Sequence, residues 1–326
     1  MSWLYTFFIG IIIFGLACEA FMRFTARRLD VLKKHCYVTG GNSGLGLAVA
    51  KELFKRGATV TIVAQRIEQL KEAAEEIEKF RVNESQKVVF VSVDCTDKQK
   101  VKEAIEISIQ KTGQIPEYVF TCAGASYPGL FVEQDVEVHE KNMNLNYFGS
   151  LYTIHECVKR MVEAKIKGNV ILVGSTLSML SFVGFSQYSP TKYAIRGLAE
   201  ALRNELKMYG INVHVYFPGT ILSPGLETEN QHKPQITKDI EGAEDGLTPE
   251  QCATALFKGI DRGEVAITSD LISLLFRVST RGGMPTNNFI LDTILASVAW
   301  IAFIPWRWYT DYLVLSQNKN LNKKEQ

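Results

Sequence analysis

Paired cysteines are missing from this sequence. Its six (Cys18, Cys36, Cys95, Cys122, Cys157 and Cys252) stand far apart with no C-x-x-C spacing, which argues against a disulfide framework and against a zinc site. The five histidines are as scattered, so no metal-ligand cluster is expected. Charge of one sign is missing too: 36 Lys and Arg against 35 Asp and Glu leave a net charge of +1. Without a basic footprint there is no case for a nucleic-acid partner. Internal repeats and low-complexity tracts are also absent. What is present is 326 residues, 46% of them hydrophobic, enough for the core of one α/β domain with additions.

Two apolar runs sit at the ends. Trp3 to Met22 is interrupted only by Glu19, and about 20 helical residues span a ~30 Å hydrocarbon layer. No Lys or Arg precedes it, as a signal peptide would require. Arg23, Arg27, Arg28, Lys33 and Lys34 follow it, so the expectation is an uncleaved transmembrane helix over residues 1–24 with the rest of the chain in the cytoplasm. Phe289 to Pro305 is apolar apart from Asp292, Thr293 and Ser297, and Trp306-Arg307-Trp308-Tyr309 follows, a cluster suited to a membrane interface. A buried core helix is the alternative. The end, Lys323-Lys324-Glu325-Gln326, resembles a dilysine retrieval signal of endoplasmic reticulum membrane proteins. Both flanks of segment 289–315 would then be cytoplasmic. About 27 residues are too few to cross twice, so the segment is expected to dip into or lie along the cytoplasmic leaflet. Glycosylation at the sequon Asn83-Glu84-Ser85 would overturn that orientation.

Between these ends the chain alternates strand-like and helix-like stretches. Strands are expected at 35–39, 59–64, 87–93, 117–121, 169–173 and 212–217. Helices are expected at 45–56, 68–80, 98–111, 138–163, 188–208 and 249–260. Such an alternation predicts an α/β fold with a doubly wound, Rossmann-type parallel sheet in a single domain, here over residues 33–270, with a membrane-associated extension over 271–326. Residues 219–248 read as a polar loop long enough to be a lid or binding loop.

The first strand runs into Thr39-Gly40-Gly41-Asn42-Ser43-Gly44-Leu45-Gly46 at the start of a helix. Glycines there allow a tight turn and let backbone N–H groups approach a pyrophosphate. After the second strand, Ala64-Gln65-Arg66 offers no carboxylate for a ribose 2′-hydroxyl before Glu68. Arg66 is placed for a 2′-phosphate, which points to NADPH.

Tyr188 and Lys192 are four apart, on one face of a helix whose first turn accommodates Pro190. A nearby ammonium would lower the tyrosine pKa towards that of a working proton donor. Together these residues resemble the short-chain dehydrogenase/reductase family over roughly residues 35–270. The resemblance implies that Asn146, Ser175, Tyr188 and Lys192 are catalytic. It implies that Tyr188 donates the proton, Ser175 binds the same oxygen, Lys192 also holds the nicotinamide ribose, and Asn146 holds a water. It also implies that Gly40, Asn42, Ser43, Gly44, Leu45, Gly46, Arg66, Ala123, Gly124, Tyr188 and Lys192 bind cofactor, that Asp94 contacts the adenine, and that Pro218, Gly219, Ile221 and Ser223 hold the carboxamide. One departure is Thr121-Cys122-Ala123-Gly124 in place of the family's N-N-A-G, where Thr121 must brace the central sheet instead of an asparagine. Ser178 and Ser181 stand at the wrong spacing for Ser175's role.

Within the family the likeness is greatest to the 3-ketodihydrosphingosine (3-dehydrosphinganine) reductases. It is carried by Phe185–Tyr188, Ala194–Leu202, Ser223–Asn230 and Lys233-Pro234. It implies reduction of a long-chain sphingoid ketone to sphinganine at the endoplasmic reticulum membrane, and a possible homodimer through the helices at 138–163 and 188–208. A steroid or retinoid carbonyl, or a non-catalytic NADPH-binding scaffold, are the competing readings.

Overall fold

The computed structural model describes residues 2–25, 29–242 and 245–324. Seven parallel strands form one sheet: β1 (His35–Thr39), β2 (Thr59–Ala64), β3 (Val88–Ser92), β4 (Tyr118–Thr121), β5 (Asn169–Val173), β6 (Asn212–Phe217) and β7 (Ala266–Thr268), in the order β3-β2-β1-β4-β5-β6-β7. The helices are α1 (Ser2–Thr25), α2 (Gly44–Lys55), α3 (Ile67–Glu78), α4 (Lys98–Thr112), α5 (Val136–Met143), α6 (Gly149–Glu163), α7 (Ser189–Glu205), α8 (Pro224–His232), α9 (Gln235–Glu241), α10 (Pro249–Asp261), α11 (Leu271–Ser279) and α12 (Phe289–Lys324).

Every residue of β1 is buried, as expected of a central parallel strand covered on both faces. One apolar cluster joins Val38, Val49, Leu53, Phe54, Ile77 and Phe257. The other, on the opposite face, joins Val119, Ile154, Cys157, Met161, Ile195 and Val215. His35 sits between the Gln114 carbonyl (2.8 Å) and Thr61 Oγ1 (2.8 Å). Burial lowers its pKa to about 4, so the ring stays neutral. Strand order reverses between β1 and β4, and the crevice at the carboxyl ends of those strands is where an open α/β sheet binds ligands.

Three stretches differ from expectation. Residues 219–248 are not a plain loop, since α8 and α9 each start at or just after a proline (Pro224, Pro234) and Ile221 bridges Leu247. Their polar composition hides them because α8 buries no residue. The helix expected over 138–163 carries a π-helical turn at Asn144–Phe148, a widening common at functional sites. The terminal apolar segment is one helix, α12, that runs through Pro305 to Lys324.

The polar interruptions in the two apolar runs have partners. Asp292 forms a bidentate pair with Arg277 of α11 (2.7 and 3.0 Å), both side chains being 3% exposed. Glu19 accepts from the Phe289 amide (3.0 Å), so the one acidic residue in α1 caps the start of α12. Phe289–Ser316 is long and apolar enough to cross a membrane, and most of it is exposed, including Ile294, Trp300, Ile301 and Trp308. Arg27, Arg28, Glu325 and Gln326, and the side chains of Cys18, Arg23, Lys323 and Lys324, lie outside the described residues, so the charge flank is seen only in part and the retrieval signal only as the helical backbone of Lys323 and Lys324.

Candidate active site

The turn from β1 to α2 is built for close backbone approach. Gly40 has φ of +66° and its amide bonds the Val63 carbonyl at 2.8 Å. A Cβ on Gly46 would run into the Gly40 carbonyl oxygen, and one on Gly41 into Ile62. Ser43 leads into α2 without capping it through its side chain, which leaves the first amides of the helix available to an anion. Arg66, exposed at the end of β2, has no ion pair among the described residues. Asn42 is held by Gln69 (2.8 Å). These residues fit a nicotinamide dinucleotide, whose pyrophosphate the free amides of α2 could hold.

Asn146 is brought to the centre by the π turn. Its amide oxygen accepts from the Ala125 amide (2.9 Å), and its Nδ2 donates to the Ala125 carbonyl (2.9 Å) and Thr191 Oγ1 (3.1 Å). A Cβ on Gly124 would lie 3.0 Å from Asn146 Oδ1 and 3.6 Å from Lys192 Nζ, so that glycine is the space in which the two side chains meet. Lys192 is buried and donates to the Val173 carbonyl (3.0 Å). Burial lowers its pKa to about 8.

Tyr188 stands at the start of α7, partly open to the cavity, with Lys192 Nζ 5.5 Å from its ring centre. The expectation that Lys192 lowers the phenol pKa is not met. Burial, and after it the charge of Glu229, push the phenol above its ordinary value, against the pull of its hydrogen bond with Ser175. Burial sets the direction here, and the phenol stays protonated, the form a proton donor needs.

Ser175 follows β5 and its Oγ accepts from the Leu177 amide (3.1 Å). Ser178, at the wrong spacing to act itself, accepts from the Ser175 amide through its buried Oγ (3.1 Å) and so fixes the segment. Sequence spacing dismissed that serine, although its offset of three is a capping-box signal. Thr121 does not brace the sheet through its side chain, because its buried hydroxyl has no partner among the described residues. Its neighbour Cys122 faces Lys192, and burial raises the thiol to about 12.

One cavity of about 1420 Å³ collects Ser175, Tyr188 and Lys192 with Gly40, Asn42, Ser43, Gly44, Leu45, Gly46, Arg66, Ala123, Gly124, Pro218, Gly219, Ile221 and Ser223. Asn146 lies behind this wall. Asp94 is outside it too, between Val93 and Cys95, which line it. The Asp94 carboxylate accepts from the Thr96 amide (2.9 Å) and hydroxyl (2.7 Å). Burial opposes its ionisation, but these bonds and one from Gln65 hold its pKa below the usual carboxylate value. Farther along, the wall is apolar: Phe182, Phe185, Ile272, Phe276 and, from α12, Trp306. Asp270 packs behind Gly219, where a Cβ would lie 2.8 Å from its Oδ2. Among the described residues no cluster of metal-ligating side chains is found.

Comparison with known proteins agrees with this geometry. The chain is 39% identical over 305 residues to the 3-ketodihydrosphingosine reductase TSC10 of Cryptococcus neoformans var. neoformans serotype D (strain B-3501A), covering 93% of this chain and 91% of the relative. It is 34% identical over 303 residues to the 3-ketodihydrosphingosine reductase of Dictyostelium discoideum (89% and 90%), and 39% identical over 230 residues to that of Mus musculus (70% and 69%). In fold it is similar to the apo form of LigD from Sphingobium sp. strain SYK-6, with a TM-score of 0.63, 23% identity and coverage of 74% of this chain and 91% of that one. The family model described as short chain dehydrogenase matches residues 34–234. By its glycine turn, its sheet and these relatives, the chain belongs to the short chain dehydrogenase family of nicotinamide-dependent oxidoreductases.

Proposed function

We propose that this protein is an NADPH-dependent reductase of 3-ketodihydrosphingosine, acting at a membrane surface and making sphinganine. The observation that carries the reading is the single cavity that joins a glycine cradle, Tyr188 with Ser175, and an apolar wall reaching Trp306 of the exposed apolar helix. The relatives named as reductases of this ketone support the choice of substrate. A steroid or retinoid would need the same proton donor, but no comparison favours it. A scaffold would need no donor at all.

The cofactor, when bound, supplies the hydride to the carbonyl carbon. Ser175 holds the carbonyl oxygen, and Tyr188 gives it a proton as negative charge builds there. Ser178 keeps Ser175 in register. Lys192, mostly ammonium below pH 8, adds positive charge next to the developing oxyanion and is positioned to reach the cofactor ribose. Asn146, tied to both peptide groups of Ala125 and to Thr191, keeps the floor of the site rigid and belongs to the route by which Tyr188 recovers its proton. Arg66 pairs with the 2′-phosphate that distinguishes NADPH.

A long alkyl tail, at ~0.8 kcal/mol per buried CH₂, keeps the substrate in the bilayer. The reading therefore takes α1 and α12 as membrane elements, α1 as the anchor and α12 as a segment on or in the cytoplasmic leaflet, with the tail entering between α11 and α12. The domain divisions at 1–24, 33–270 and 271–326 and the endoplasmic reticulum location belong to the same proposal. The test is NADPH consumption by the full chain with 3-ketodihydrosphingosine against a steroid panel. Consumption with the sphingoid ketone is expected, and consumption only with a steroid would redirect the reading.

A further inference from the structure

A carboxylate lines the reacting part of the cavity that ketone reduction does not itself call for. Glu229 of α8 shares the wall with Tyr188 and Phe185 and is 19% exposed. Its partner Lys233, one turn along, lies 3.0 Å away and is 4% exposed. Lys233 also bonds Glu241 of α9 at 2.6 Å and stands 5.8 Å from the Phe185 ring centre. Two carboxylates thus share one ammonium, and these three groups together carry one excess negative charge.

That excess costs free energy in a partly desolvated wall. It also opposes the reaction, because negative charge develops on the ketone oxygen in the same cavity, and the charge of Glu229 already disfavours ionisation of Tyr188. Tying α8 to α9 would need only the Lys233–Glu241 contact. Both costs disappear if the substrate brings a positive charge on the carbon next to the ketone, as a 2-amino ketone does. Resting on the functional reading above, we infer that Glu229 determines specificity by binding the ammonium of a 2-amino ketone, with Lys233 holding the carboxylate in place and Glu241 balancing Lys233.

The experiment compares two ketones on the full chain in detergent micelles: 3-ketodihydrosphingosine and its amine-free counterpart, 1-hydroxyoctadecan-3-one. The readout is the ratio of their kcat/KM values. Glu229→Gln should lower that ratio at least tenfold, since a hydrogen bond to a charged group is lost for one ligand only. Glu229→Asp should restore much of it. A ratio unmoved by Glu229→Gln overturns the inference while leaving the functional reading intact. A wild-type protein that reduces neither ketone overturns the functional reading, and the inference with it. Should the Gln variant not fold, inhibition of the wild type decides: sphinganine should inhibit at least tenfold more strongly than octadecane-1,3-diol, and equal inhibition overturns the inference.

Discussion

The two ends of the cavity are built from different materials. At the β1–α2 end the wall is backbone: Gly40, Gly44 and Gly46 line it, and a Cβ on Gly40 or Gly46 would run into neighbouring main chain. At the α8–α12 end the wall is side chains, with Glu229, Lys233, Phe276 and Trp306 supplying charge and apolar surface. A backbone site demands particular residues at fixed spacing, because few residues permit the geometry. A side-chain site can be built from many residues at many spacings. On the reading proposed above, the first end serves a cofactor shared by a whole family, and the second carries the choice of substrate.

The comparison can be broken most sharply where the ends meet. Tyr188→Phe should reduce kcat by about 10²–10⁴ while NADPH still binds, as followed by nicotinamide fluorescence; turnover within tenfold of wild type would remove Tyr188 from the chemistry. On the side-chain end, Asp292→Ala strands the buried Arg277 guanidinium and should cost ~3–5 kcal/mol in denaturant unfolding. Arg277→Met combined with Asp292→Leu should recover most of it, and a small loss in the single variant would show that the α11–α12 junction does not depend on the pair. On the backbone end, the proposed NADPH selectivity rests on one side chain, Arg66. Arg66→Ala should reduce the NADPH over NADH preference roughly tenfold to a hundredfold, from ~1.5–3 kcal/mol for a hydrogen bond to a charged group, and an unchanged KM ratio would refute it.

Smaller effects sharpen the picture. Lys192 has its pKa lowered to about 8, so its ammonium is present below that pH and lost as pH rises through it. The kcat/KM of the reduction should therefore fall on the alkaline side of about pH 8, and a flat profile to pH 10 would contradict the role given to its charge. Ser178→Ala removes the bond to the Ser175 amide, worth ~1 kcal/mol, and should lower kcat about fivefold with KM little changed.

The same contrast explains what could be read from the amino-acid order. The strands at 35–39, 59–64, 169–173 and 212–217 have the bounds expected, because buried parallel strands are unbroken β-branched runs between turn residues. The glycine turn was legible for the reason just given. Less legible were α8 and α9, whose polar surfaces carry no helical stripe, and β7, three residues long and too short for any period to show. The partners of Asp292 and Glu19 could not be read because Arg277 and Phe289 meet them only through the fold. The direction of the Tyr188 pKa shift runs against expectation for a similar reason. Spacing shows the cation, while burial and the Glu229 charge, which set the shift, come from the fold.

The most direct test of the account is NADPH oxidation by the full chain presented with 3-ketodihydrosphingosine in detergent micelles, with sphinganine measured by mass spectrometry and Tyr188→Phe as the control. The account predicts one sphinganine formed for each NADPH consumed, and no turnover above background in the variant. NADPH consumption without sphinganine, or sphinganine formed equally by the variant, would contradict it.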